Sequence, residues 1–573
     1  MGGVYFGKVS GKKINIKKGT GWADHKKFPS LCVAYLGNDA VTGTINGTLV
    51  HWPGQQCKKA YPGCHRTGIN AMTTFNKETF ITGGNDGCIK FWTTGFNCTR
   101  TVDLIAAGCH TENARIRALA VHPTINKIMV GTRGSEIIEI TAETKFSYII
   151  KGHYDHELWG LCMHPKKNEF ITVGEDFYMA KWSLDTHKQI KHHHLEFQST
   201  TLVYNSVGTK FVVGCKNGRT LIFDDSDPAA RWAVEGTLPG KRFKEICELK
   251  FSPNDEFLAV GGMDSQIYIY NGKTFKHVSM CKDHHIEVQH VDFSLDGQFL
   301  HSTCAHGSLY YFECKTGKSI PDGATRFRDE TWGSYTTPYG WNVAGIRPPF
   351  AKEGDEIFSV DRSKSGKMCV TADGYGKLKL FKYPQPNQKS GFQRFVGHSD
   401  KVTNCKFSRD DKYLVSLGGW DKAIFQWRVV AGDAEDCDYD DSDFNLDEFR
   451  SDKVDNNAYG EVETKKAPAS QAGGLFEVAE EDTGDQFMAV KPFLGQVNHS
   501  IPDEYKKQDP LDKVPPDTNL TPVWINGYRC FDARQTAKWL SDTDNICFVS
   551  AALGVTMNIP AREQKFFTGH DED

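Results

Sequence analysis

The sequence predicts an all-β fold built from repeated strand-and-turn units, and three observations predict it. A short turn followed by an alternating strand recurs nine times at near-constant spacing. Glycine, with 54 residues, and the aromatic residues, at 12%, are both plentiful, which suits tight turns joining half-buried strands and does not suit a helical bundle. No apolar run reaches the roughly 18 residues of a membrane-spanning helix; the longest candidate, 546–559, is short and carries Ser, Thr and Asn.

The repeat units follow in order. Gly43 to Trp52 is the first, then Gly83 to Trp92, Gly131 to Ile140, Gly174 to Trp182 and Gly214 to Phe223. Gly261 to Tyr270, Ala305 to Phe312, Ala372 to Phe381 and Gly418 to Trp427 complete the set. The terminal residues are 40, 48, 42, 41, 47, 42, 69 and 46 positions apart. Turns such as Asn85-Asp86-Gly87 supply the positive φ that a tight hairpin needs.

A second marker precedes the strands. His153 lies 29 residues before Trp182, and His398 lies 29 before Trp427. Cys64-His65 and Cys109-His110 hold equivalent places, and strand-plus-turn units such as Phe251-Ser252-Pro253 and Phe407-Ser408 follow. Spacing and markers together predict the four-stranded blades of WD-repeat β-propellers. Nine blades exceed one ring of four to eight. Residues 1–102 are therefore expected to end a first propeller and 103–430 to form a second, with a partial blade hidden in the 69-residue interval.

After Trp427 the repeat stops. Residues 431–485 hold 18 Asp/Glu against 4 Lys/Arg, a net −14, whereas the rest of the chain is +10. With the Pro-containing stretch that follows, 431–522 reads as a flexible acidic linker. The N-terminus has no apolar signal region, and the 17 cysteines are odd in number and without a Cys-x-x-Cys pair, so reduced thiols in the cytoplasm are expected.

Order resumes at residue 523. Trp524-x-x-Gly527-Tyr528-Arg529-x-x-Asp532-x-Arg534, the apolar strand from Ile546, Gly554-Val555, and Phe566-x-x-Gly569-His570-Asp571-Glu572-Asp573 resemble the hydrophobic motif of the echinoderm microtubule-associated protein-like (EMAP-like) family. Trp332 to Ile346 with Asp361-Arg362-Ser363, and Gly397-His398-Ser399 to Trp427, resemble that family's last two blades. In the family the hydrophobic motif opens a tandem-propeller module. The resemblance thus implies that 523–573 opens a further, incomplete propeller, and that the chain is a segment of a longer multi-module member or a truncated gene. It makes Trp524, Tyr528, Arg529, Asp532 and Arg534 packing and polar anchors of the motif.

Other motifs carry no chemistry. Lys315-Thr316-Gly317-Lys318-Ser319 lacks the first glycine of a phosphate loop, since Phe312 stands there, and it reads as a hairpin turn. His192, His193 and His194 alternate faces on a strand and do not converge on a metal. Neither catalytic residues nor a cofactor or metal site is expected. The basic cluster Lys8, Lys12, Lys13, Lys17, Lys18, Lys26 and Lys27 suits attraction to an anionic polymer, with Lys12, Lys13, Lys17 and Lys18 as the first partner-binding candidates. Nucleic acid is disfavoured because interleaved stacking aromatics are missing. The resemblance implies tubulin and microtubules as partners, with other axonemal or cytoskeletal proteins. It further implies a cytoskeletal, and for multi-module members ciliary, location. The alternative is a general WD-repeat scaffold in a signalling or transport complex.

Overall fold

The computed structural model describes residues 4–569 apart from 11–12, 22–27, 77, 108, 110–112, 142–144, 240–243, 348–355, 387–389, 433–499, 503–504, 506–513 and 541–543. Most of the expected linker, His110, His570, Lys12, Lys26 and Lys27 lie outside the described residues. Antiparallel strands dominate, and the fold is all-β with tandem propeller architecture.

The nine repeats form nine separate sheets: I (30–61), II (69–103), III (116–150), IV (158–194), V (199–237), VI (246–281), VII (288–313), VIII (357–395) and IX (402–431). The strands read as terminal in the sequence are the third of each sheet, for example Cys88–Thr93 and Tyr178–Ser183. A fourth strand follows on the outer edge, except in VII, which has three. Second strands such as Glu169–Gly174 and Phe257–Gly262 are buried almost throughout, because both faces lie against neighbouring sheets. Each interface is its own apolar cluster. Phe170 and Trp182 of sheet IV, for instance, pack on Val415, Leu417 and Ile424 of sheet IX. Removing one such ring, as in Phe170→Ala, costs about 3–5 kcal/mol.

Every one of the nine second-to-third-strand turns carries a positive-φ residue: Gly47, Gly87, Ser135, Phe177, Gly218, Ser265, Gly307, Gly376 and Lys422. In II, IV and IX the residue before it is an Asp that ties the sheet together. Asp176 accepts from His153 Nδ1 at 2.9 Å, His153 Nε2 reaches Thr172 Oγ1 at 2.9 Å, and Trp182 Nε1 donates to the same oxygen at 2.8 Å. His65, Asp86, Thr82 and Trp92 repeat this in II, and His398, Asp421, Ser416 and Trp427 repeat it in IX.

Sheets IV to IX close into a ring. Leu158 N donates to Gly419 O at 3.2 Å, and Thr403 Oγ1 donates to Leu158 O at 2.6 Å. Between VII and VIII, the described residues of the interval expected to hide a partial blade form an irregular wedge with a one-turn helix, Gly323–Arg326, and a 3-10 segment, Trp341–Ile346. Phe327, Trp332, Tyr335, Val343 and Ile346 bury it against Val360 and Phe381. Sheet III, grouped by sequence with the second propeller, instead packs on sheet II through Ile116, Leu119, Ile81 and Ala71. The periodicity runs unbroken across 102/103, so spacing alone marks no boundary there.

The last segment also goes elsewhere than expected. Thr518–Asn526 pairs antiparallel with Ile424–Ala431 and is the fourth strand of sheet IX. Ala537–Phe567 then folds into a further four-stranded sheet, X, whose Ala537 and Trp539 pack beside Ala118 and Ala120 of sheet III. The free edge of Ile424–Ala431 needs backbone partners, and this apolar strand supplies them.

Candidate functional site

The lysine cluster sits on an N-terminal hairpin. Tyr5–Ser10 pairs with Lys13–Lys18 in the register Tyr5↔Lys18, Phe6↔Lys17, Lys8↔Asn15 and Ser10↔Lys13. Alternation puts Lys13 and Lys17 on one face together with Lys8, while Lys18 shares the other with Tyr5, Ile14 and Ile16. All of Lys13–Lys18 is exposed, Ile14 at 65% and Ile16 at 66% included. The hairpin is anchored by Phe6 against Trp52, ring centroids 5.9 Å apart. Of a second basic group in the sequence, Lys241, Arg242 and Lys244, only Lys244 lies among the described residues, exposed on a loop.

The hydrophobic-motif residues divide by environment. Trp524 is fully buried, donates Nε1 to Asn526 Oδ1 at 2.9 Å, and stacks on His187 with Arg562 above the ring at 4.8 Å. Tyr528 is buried, and its backbone exchanges hydrogen bonds with Ser135 Oγ at 3.0 and 3.2 Å. Arg529 pairs with Asp532 three residues on, and the guanidinium holds that carboxyl below its usual range. Arg534 is exposed and lies near Arg117, whose side chain donates to Phe531 O at 2.6 Å. Trp524 and Tyr528 therefore stitch the segment to sheets IV and III, whereas Arg529 and Asp532 pair with each other within it.

A third feature was missed by sequence reasoning. A channel with a volume of about 910 Å³ runs through the ring of sheets IV–IX. Its inner strands include Ile246–Phe251, Val288–Phe293, Ile357–Arg362 and Val402–Phe407, each with a bulge between its first and third residues. Shared register makes shared position meaningful. The fifth residues are Lys250, Asp292, Asp361 and Lys406, and the third are Glu248, His290, Ser359 and Asn404. The residues just before the strands include Glu245, Glu287 and Glu356. One end of the channel is thus acidic, and a mixed charge layer lies deeper.

The acids of that layer are well served. Asp292 accepts from Ser334 Oγ at 2.5 Å, Thr336 N at 2.7 Å, Thr336 Oγ1 at 3.0 Å, Thr337 N at 3.3 Å and His301 at 3.3 Å. Asp361 accepts from Phe407 N at 2.8 Å. The cations are less so. Lys250 stands 3.6 Å from Glu248 and 3.8 Å from Asp292, and Lys406 stands 3.4 Å from Asp361. Burial pushes the Glu248 carboxyl up, and the Lys406 ammonium is held above its usual range by Asp361 and Glu248 against the opposing effect of burial.

Residues 158–429, the span of this ring, match the family model described as the echinoderm microtubule-associated protein second beta-propeller. Residues 55–93 match the WD domain, G-beta repeat. Echinoderm microtubule-associated protein-like 1 of Homo sapiens is 29% identical over 436 residues, covering 74% of this chain and 52% of the relative. The 77 kDa echinoderm microtubule-associated protein of Lytechinus variegatus is 30% identical over 437 residues, covering 75% of this chain and 64% of the relative. The chain is an EMAP-like WD-repeat protein. It spans about half the length of relatives such as the human one.

In this EMAP-like chain the ring match begins at Leu158, the first residue of sheet IV, rather than at 103. A signal for the channel charges did exist in the sequence. Each lies immediately before an aromatic-Ser or Arg-Ser pair: Lys250-Phe251-Ser252, Asp292-Phe293-Ser294, Asp361-Arg362-Ser363 and Lys406-Phe407-Ser408. Those pairs mark blade turns in the EMAP-like repeat, and the residue preceding each one is the charge that closure of the ring brings inward.

Proposed function

We propose that this chain is a microtubule-associated protein that binds tubulin through its propeller surfaces, in the cytoskeleton and in the ciliary axoneme, and that its activity is binding rather than catalysis. Membership of the EMAP-like family carries this reading, and the relatives' names state microtubule association for them. The hairpin supplies a contact of fitting chemistry. Lys8, Lys13 and Lys17 project from one face, and Tyr5, Ile14 and Ile16 are exposed on the other, so an acidic protein surface meets charge and apolar area together.

Charge also suggests a regulator. The −14 segment at 431–485 is tethered to a +10 remainder, and tethering raises its local concentration at any basic face. It then competes with tubulin for that face. Microtubule co-sedimentation at two salt concentrations tests both points. Deleting 431–485 should strengthen binding, the quadruple Lys-to-Glu exchange at Lys12, Lys13, Lys17 and Lys18 should weaken it, and salt should weaken all forms. Equal pelleting of wild type and both variants at both salts would reject the electrostatic account. Failure of the wild type to pellet at all, with capture of other proteins, would favour the general scaffold.

A further inference from the structure

The channel of the second ring presents polar side chains whose hydrogen-bonding capacity the fold leaves open to the cavity. His290, third residue of Val288–Phe293, is 8% exposed and lines the cavity, yet neither ring nitrogen has a hydrogen-bond partner among the described residues. Neither nitrogen is among the sealed polar atoms of the fold, so the ring faces the open cavity and its nitrogens are available to what enters. Lys250 is in the same position. It lines the cavity and has acids only at 3.6 and 3.8 Å, beyond hydrogen-bond reach. Lys406 makes one long bond of 3.4 Å and has two further donors. Arg347 also lines the cavity, its guanidinium 4.0 Å from the Tyr339 ring.

We propose that this channel binds an oxyanion head group, carboxylate or phosphate, held by the Lys250 and Lys406 ammoniums and by the His290 ring. Asp292 cannot take that role. Its oxygens already receive hydrogen bonds from Ser334, Thr336, Thr337 and His301. Burial holds His290 down at about 3, with Lys406, Lys250 and Arg347 adding to the effect against Asp292. The ring is therefore neutral at physiological pH and offers one N–H donor beside the two ammoniums. A cavity of about 910 Å³ is larger than a single head group, so it also accommodates the body that carries it. Glu248 and Asp361 share the layer with the lysines, so the oxyanion competes with them for the ammoniums, and Glu245, Glu287 and Glu356 at the other end repel a second negative group.

Two sources present this chemistry: an acidic side chain of a peptide and a free phosphorylated or carboxylated small molecule. Calorimetric titration of the full chain with inorganic phosphate and, separately, with a capped peptide whose single charged residue is one glutamate tests the site and separates the sources. Saturable binding of one to one stoichiometry is expected for at least one probe. Lys250→Gln and Lys406→Gln should each weaken it about tenfold, and Lys273→Gln, on an exposed outer turn of sheet VI, should leave it unchanged. Tighter binding of the peptide assigns the peptide source, and binding of phosphate alone assigns the small molecule. Should Lys250→Gln fail to fold by circular dichroism, Lys250→Met and Lys406→Gln carry the same comparison. Absence of binding for both probes up to about 10 mM overturns the proposal, as does binding that the folded lysine variants leave intact. Microtubules are absent from this experiment, so its result is independent of the tubulin reading.

Discussion

Sheets IV and VII share a strand register and differ in how their histidines are held. In IV, His153 is clamped between Asp176 and Thr172, and Trp182 shares the threonine oxygen. In VII, His284 Nε2 bonds Ser302 at 2.7 Å, Phe312 stands where the tryptophan would be, and His306 occupies the aspartate position before Gly307. His284 Nδ1 is left buried without a partner among the described residues. VII also has three strands instead of four. The fold survives this loss because Tyr310 and Phe312 pack around the His284 ring at 4.8 and 6.1 Å. Apolar packing thus carries the blade, and the polar network adds to it where it is complete.

Breaking the complete network should have the largest effect. Asp176 accepts from His153 and from the backbone of Tyr154 and Tyr178, so Asp176→Ala strands three buried donors. A loss of about 3–4 kcal/mol is expected in urea unfolding. A loss below about 1 kcal/mol would show that sheet IV depends on packing as much as sheet VII does.

Acid should act on the incomplete network. Burial lowers His284 from the usual 6.5 to about 4. A group whose folded value is depressed contributes its stability fully above the unfolded value and loses it as pH falls toward the folded one. The unfolded chain binds the proton first, so about 3 kcal/mol drains away between pH 6.5 and 4. His284→Gln should flatten that part of the stability profile measured across those pH values. An unchanged profile would assign the acid sensitivity elsewhere.

Repairing the network is the converse test. His306→Asp restores the carboxylate beside His284 Nδ1 and should stabilise the ring by about 1 kcal/mol, raising the urea midpoint without changing the slope. The smallest effect concerns the turn of sheet IV. Phe177 adopts φ 61, where sheet VII has Gly307 at φ 79. Phe177→Gly should gain roughly 0.5–1 kcal/mol by relieving left-handed strain. A destabilised variant would mean that the half-exposed phenyl ring contributes packing worth more than the strain.

How much was legible follows the range of the interactions. The nine third strands, their turns and the marker histidines His65, His153 and His398 were readable because the residues that define them lie within one repeat of about 40 residues, and their hydrogen-bond partners lie in the same repeat. The exposed lysines at 13, 17 and 18 were readable as charge, yet their division between two hairpin faces depends on the pairing with Tyr5–Ser10. Trp524 and Tyr528 were readable as anchors of a motif, but their partners His187 and Ser135 lie hundreds of residues away.

The sequence by itself determined the repeat, its strand order within each blade and the identity of its turns, since these rest on alternation and on residues a few positions apart. Only the tertiary structure decided where 518–567 goes and what lines the channel. The first is a competition for the open edge of Ile424–Ala431, won by a strand that follows some ninety residues later. The second needs ring closure. Lys250, Asp292, Asp361 and Lys406 are scattered through four repeats and meet only because equal positions on successive inner strands turn toward one axis.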